Sequence, residues 1–140
     1  MASEASIAAV ERELVDGGYS GILGFSQGAM LAAIVAARAS LGEGVPSLQL
    51  AVCCGGAVPK PYEPLLERMR ADSAPIPTLH CLSHADNVNP VEQGVALAEF
   101  FGPTAEILWH DAGHSMPPGD TNKEVTAWLD RIGPLFKSSA

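Results

Sequence analysis

The sequence predicts an α/β protein: a single domain over residues 1–140, built on a mainly parallel sheet of about four strands with flanking helices. Three observations carry this. Short apolar runs alternate with segments of helical spacing, and glycine or proline separates one from the next. The apolar content of 47% in 140 residues suffices for one core. No internal repeat, low-complexity tract or linker interrupts the alternation, and helices between the runs supply the crossovers that parallel neighbours require.

The elements follow in order. Ser6 to Asp16 carries Ile7, Val10, Leu14 and Val15 at helical spacing, and Gly17-Gly18 ends it. Ile22 and Leu23 form a short strand, and Gln27 to Ala39 is small and apolar nearly all round, as in a helix packed directly on a sheet. Leu41 to Ser47 is a loop; Leu48 to Cys54 is a continuous apolar run suited to a strand buried on both faces. Gly55 to Pro64 is expected to be irregular, and Leu65 to Ala71 a short helix before Pro75. Ile76 to Leu82 and Ala105 to Trp109 are strands, with a helix over Val91 to Phe101 between them. A last helix is expected from about Asn122 to Phe136, with Val125, Trp128, Leu129 and Ile132 on one face and Gly133-Pro134 as a point of shortening.

Composition narrows the classes of function. A net charge of -8 without a basic stripe disfavours nucleic acid and anionic membrane as partners. Residues Met1 to Ser6 lack the charged and apolar regions of a secretion signal, and no stretch approaches the ~20 apolar residues of a membrane span, so a cytoplasmic protein is expected. Cys53, Cys54 and Cys81 are odd in number and lie in apolar runs, which fits reduced, buried thiols.

The chemistry centres on Gly24-Phe25-Ser26-Gln27-Gly28. A bare Gly-x-Ser-x-Gly arises by chance in roughly one chain in ten of this composition, but here it joins a strand to a helix. That is the setting of a nucleophile elbow, in which flanking glycines are expected to relieve backbone collisions and the helix N-terminus favours developing negative charge. A serine hydroxyl needs a base, and the base needs a group that fixes its tautomer. In a parallel sheet such groups gather at the carboxyl ends of strands. Two loops qualify: Ser83-His84-Ala85-Asp86-Asn87-Val88-Asn89-Pro90 and His110-Asp111-Ala112-Gly113-His114-Ser115-Met116-Pro117. Asp86 and His114 complete the chain order Ser, Asp, His of α/β-hydrolases.

The remaining histidines are weighed against this. His110 and His114, with Asp111 between, would need a helix to face one metal ion; Gly113, Pro117 and Pro118 oppose one, so no metal is expected. His80, alternating with Leu79 and Cys81, is expected to be structural; His84 stands close enough to Asp86 to line a pocket.

The elbow hexapeptide ending at Ala29, the Gly55-to-Pro59 turn after a buried strand, the Asp86-to-Pro90 loop and Gly113-His114-Ser115-Met116-Pro117 resemble the FSH family of serine hydrolases, small α/β-hydrolases. Acyl-protein thioesterases and related carboxylesterases resemble the chain almost as well. The resemblance runs from Tyr19 to about Trp128. It implies a Ser26–His114–Asp86 triad that cleaves a small-molecule carboxylic ester or thioester through an acyl-enzyme, with no cofactor. Within the acid loop, Ser83 stands where these families commonly have glycine and Asn89 where they have an apolar residue.

The resemblance also implies strands ahead of the elbow, whereas one helix precedes it here. The chain is therefore expected to be the C-terminal portion of such a domain, with a partial sheet and the Gln27 backbone N–H as the oxyanion donor that can be named. Three origins are open: an incomplete product, strands supplied by a partner or second copy through the exposed sheet edge, or a reduced variant. A non-catalytic binding or scaffold protein is the alternative function. Phe25, Met30, Val58, Tyr62, Val88 and Met116 flank the catalytic loops and are candidates for an apolar acyl pocket, with Val58 to Ala74 the only room for a lid.

Overall fold

Residues 2–133 are described by a computed structural model in which helices and strands alternate along the chain. The order is α1 (Glu4–Gly17), β1 (Gly21–Phe25), α2 (Gln27–Ser40), β2 (Leu50–Cys54), α3 (Glu63–Asp72), β3 (Thr78–Leu82), α4 (Val91–Phe100), β4 (Ala105–Trp109) and α5 (Gly119–Ile132). The strands form one parallel sheet in the order β1-β2-β3-β4. Its register places Leu23, Val52, Leu79 and Glu106 side by side.

Two layers cover the sheet. On one face α2 presents Ala29, Ala32, Ala33, Ala36 and Ala37, all fully buried, and these small side chains let the helix lie close to Ala51 and Cys53. Leu66 and Met69 of α3 and Leu97 and Phe100 of α4 complete that core. On the other face Val125 and Trp128 of α5 pack on Val52, Cys54, Leu79, Cys81 and Leu108. Glu106, turned to the same face, accepts from Trp128 Nε1 at 3.0 Å and from Arg131 at 2.8 Å, and so pins α5 to β4.

Helix α1 starts at a capping box in which Ser3 and Ser6 accept each other's backbone N–H, and it ends on Gly18 in the left-handed region. Its apolar stripe differs from the expected one: Ile7 and Leu14 are buried, but Val15 is 55% exposed. Glu11 takes the inner position instead, one turn beyond Ile7, where its carboxylate pairs with Arg38 of α2 at 2.9 Å.

Other boundaries shift for local reasons. Leu48 is buried in a cluster with residues of α1 and α2 before the strand begins, so β2 is shorter than its apolar run. β3 begins after Pro77, which has no N–H to give to a ladder. The segment expected to be irregular holds a 3-10 turn at Lys60–Tyr62, and α3 begins at Glu63 because Pro64 is tolerated in a first helical turn. Helix α5 begins at Gly119 rather than Asn122, and Leu129 is 37% exposed rather than on the packed face. The expected end of that helix at Phe136 lies outside the described residues.

Candidate active site

Ser26 sits between β1 and α2 with φ 57° and ψ -116°, the one non-glycine residue of positive φ among those described. Such a conformation costs on the order of 1–3 kcal/mol and persists only where neighbours impose it. Here the Ser26 N–H donates to the Cys54 carbonyl at 2.8 Å, and its own carbonyl accepts from Ala29 to start α2. A Cβ on Gly24 would lie 2.0 Å from the Gly28 carbonyl oxygen, so the first glycine of the motif is obligatory. The second is not explained in the same way. A Cβ on Gly28 would meet nothing within 4 Å, because it is the backbone of Gly28 that crowds Gly24.

Three strand ends bring the predicted residues together. From the loop after β3, Asp86 turns Oδ1 to the backbone N–H groups of Val88 and Asn89, each at 2.9 Å. That fixes its rotamer and leaves Oδ2 facing Nδ1 of His114 at 2.9 Å. Burial, with only 5% of the Asp86 side chain exposed, opposes its charge, but the hydrogen bonds from His114 and the two amides outweigh it and hold the carboxyl below its usual range. An ionised Asp86 accepts the Nδ1 proton, so Nε2 is the ring's acceptor. It lies 2.9 Å from Ser26 Oγ. The Phe25 ring lies against the imidazole, with centroids 4.9 Å apart.

Below the imidazole is Gly55, the residue after β2, with φ 62°. A Cβ there would stand 3.4 Å from His114 Nδ1 and 3.6 Å from Asp86 Oδ2. The sequence marks Gly55 only as part of a turn, and its contact with the histidine has no local signal. Gln27 opens α2 beside Ser26, in the first turn, where backbone N–H groups point out along the helix axis.

Of the apolar candidates, Met30, Val58 and Tyr62 line one pocket of about 250 Å³ that also borders Gln27. Pro59, Lys60 and Pro61 also line it. Phe25, Val88 and Met116 are not part of it: Phe25 rests on the histidine, and Val88 and Met116 are 61% and 41% exposed. The segment considered for a lid is built into the helical layer, with Leu66 and Met69 buried.

The other histidines play separate parts. His80 is buried and hydrogen-bonded to Thr78 at 2.9 Å, and desolvation pushes its pKa down to about 4, so it is neutral. His84 stacks on Trp109 at 4.4 Å and does not line the pocket beside Gln27. His110 accepts from the Ala112 N–H in a stretch of bends rather than a helix. Cys53, Cys54 and Cys81 are buried and unbridged, and burial pushes the Cys53 thiol up to about 12. No helix among the described residues is long and apolar enough to cross a membrane.

Comparison with known proteins gives the arrangement its context. A family model described as "Serine hydrolase (FSH1)" matches residues 2–126. The human esterase OVCA2 is 36% identical over 113 residues, 78% of this chain and 48% of that protein. An esterase of Caenorhabditis elegans is 30% identical over 133 residues, 91% of this chain and 58% of its own length. The chain thus spans about half the length of the curated relatives it matches. Among solved structures, Zea mays acyl-protein thioesterase 2 superposes with a TM-score of 0.75 at 26% identity, over 91% of this chain and 63% of that one. An esterase of Pyrococcus furiosus has the same fold, with a TM-score of 0.70 at 17% identity, over 95% of this chain and 63% of that one.

Proposed function

The chain belongs to the FSH1 serine hydrolase family, and on that premise we propose that it cleaves carboxylic esters or thioesters through Ser26, His114 and Asp86. The observation that carries this reading is the imidazole of His114, bonded at 2.9 Å to Asp86 on one side and to Ser26 on the other. In the first half-reaction Ser26 Oγ attacks the acyl carbonyl while its proton passes to His114 Nε2. The protonated ring, oriented and charge-balanced by Asp86, returns that proton to the departing alkoxide or thiolate. In the second, water gives a proton to Nε2 and attacks the acyl-enzyme, releasing the acid and restoring Ser26.

The Gln27 N–H is assigned as an oxyanion donor, supported by its place at the start of α2. One such donor is worth about 10²- to 10³-fold in rate, so turnover by this chain is expected to be modest if Gln27 acts alone. The pocket bordered by Gln27, Met30, Val58 and Tyr62 supports an apolar acyl group as the part of the substrate that is bound. Buried, unbridged cysteines fit a reducing, cytoplasmic setting. The outer edge of β1, which pairs with β2 on one side, supports self-association, since Leu23 there is 51% exposed.

An active-site-directed fluorophosphonate tests the reading. Labelling of the wild-type chain that disappears in Ser26→Ala is expected. A well-folded chain that takes up no label would overturn it in favour of a binding or scaffold role. Rates on p-nitrophenyl esters of increasing length, set against thioesters, then define the leaving group and the acyl length.

A further inference from the structure

Two side chains outside the proposed triad tie its loops together. Ser83 is the first residue of the acid loop, 2% exposed, and its Oγ accepts two backbone N–H groups. One, from Ala85 at 3.2 Å, lies within the acid loop; the other, from Gly113 at 3.1 Å, is in the histidine loop, one residue before His114. The hydroxyl therefore joins two loops through residues separated by 30 positions. Asn89 makes the second tie. Its backbone N–H holds Asp86 Oδ1, while its side-chain Nδ2 donates to the Gly55 carbonyl at 2.8 Å. Gly55 is the residue against which the His114–Asp86 pair lies.

Both ties converge on one bond. Asp86 and His114 hang on separate loops, and backbone torsions in either would shift the carboxylate relative to the ring. Ser83 fixes the distance between the loops; Asn89 fixes the acid loop to the turn below. We infer that Ser83 and Asn89 are positioning residues that keep the Asp86–His114 hydrogen bond formed between turnovers. Neither touches the reacting atoms. This rests on the hydrolase reading for its catalytic consequence, although the bond they hold can be observed without any turnover.

Ser83→Ala and Asn89→Ala each remove one tie and add no bulk. In the full chain, a misplacement of the imidazole is expected to lower kcat about ten- to a hundredfold on a p-nitrophenyl ester, with KM changed less than about twofold. A purely structural role would instead lower the fraction of active protein, which fluorophosphonate titration counts, and leave kcat per labelled site unchanged. Proton NMR of histidine-labelled protein supplies the second readout. The hydrogen-bonded Nδ1 proton of His114 is expected far downfield in the wild type and broadened away in each variant. If the wild type neither turns over nor labels, the hydrolase reading fails while the Nδ1 resonance still decides the positioning role. That role is overturned if the resonance is missing from the wild type, or persists unchanged in both variants. Wild-type kcat per labelled site in both, or a rise in KM alone, also overturns it.

Discussion

Ser26 Oγ and His114 Nε2 are 2.9 Å apart although 88 positions separate them in the sequence. Bonding at the other end of the same ring, to Asp86, makes the imidazole's orientation depend on a third loop. Replacing Asp86 with Asn removes the acceptor for the Nδ1 proton and favours the wrong tautomer. A fall in kcat of about 10⁴-fold is expected, with KM little changed and the fold retained by circular dichroism.

The two glycines of the elbow should respond in opposite ways. Gly24→Ala drives a Cβ into the Gly28 carbonyl, and a loss of about 3 kcal/mol, the upper end for overpacking, is expected in chemical denaturation. Gly28→Ala meets open space and lies in α2, so it should be neutral or stabilising by up to about 1 kcal/mol.

Stability should fall in mild acid because of His80. Its folded pKa of about 4 lies below the unfolded value of 6.5, so between those limits the unfolded chain binds the extra proton. The contribution is whole above pH 6.5 and declines as pH drops toward 4, by roughly 3 kcal/mol in all. Denaturation curves of His80→Asn should be flatter across that window. Asp86, held below its usual range, adds its own loss only as pH falls further, beneath about 4.

Helix α5 should loosen without Glu106. Glu106→Ala leaves the buried Trp128 indole N–H without its acceptor and removes the Arg131 pair. A cost of about 1–2 kcal/mol is expected, since the carboxylate itself is half-exposed. Trp128→Ala should cost more, about 3–5 kcal/mol.

The edge of β1 can be tested as a surface for association. Sedimentation of the wild-type chain is expected to depend on concentration, and Leu23→Lys to remove that dependence by placing a charge on the exposed strand. A monomer at all concentrations would exclude association through this edge.

Much of the fold was legible because its signals are local. Alanine at 29, 32, 33, 36 and 37 announces a helix against a sheet, and the run ending at Cys54 announces a strand buried on both faces. Strand starts were less so, since Leu48 is buried among α1 and α2 side chains before the strand begins. Val15 and Glu11 exchanged their expected places because a stripe drawn from hydropathy cannot register that Glu11 has Arg38 to meet. Ser26 could be chosen by its motif, and Asp86 and His114 by loop position and chain order together; the structure sets His114 within hydrogen-bond reach of both Ser26 and Asp86. Ser83 and Asn89 could be noticed only as departures from a family pattern. What they do depends on Gly113 and Gly55, positions distant in sequence, and no spacing rule links a hydroxyl to an amide across two loops.

The parallel sheet also serves as a ruler. Ser26 follows β1, Gly55 follows β2, Asp86 is in the loop after β3 and His114 in the loop after β4, so the placing of these residues depends on all three strand pairings. Slipping any one pairing by a residue would displace a loop by about 3.3 Å, more than the length of the bonds it has to make. A molecule with a slipped strand would keep its helices and much of its optical signature while being chemically silent. Active-site titration against total protein would therefore count the molecules folded in correct register, a population that spectroscopy of secondary structure does not distinguish.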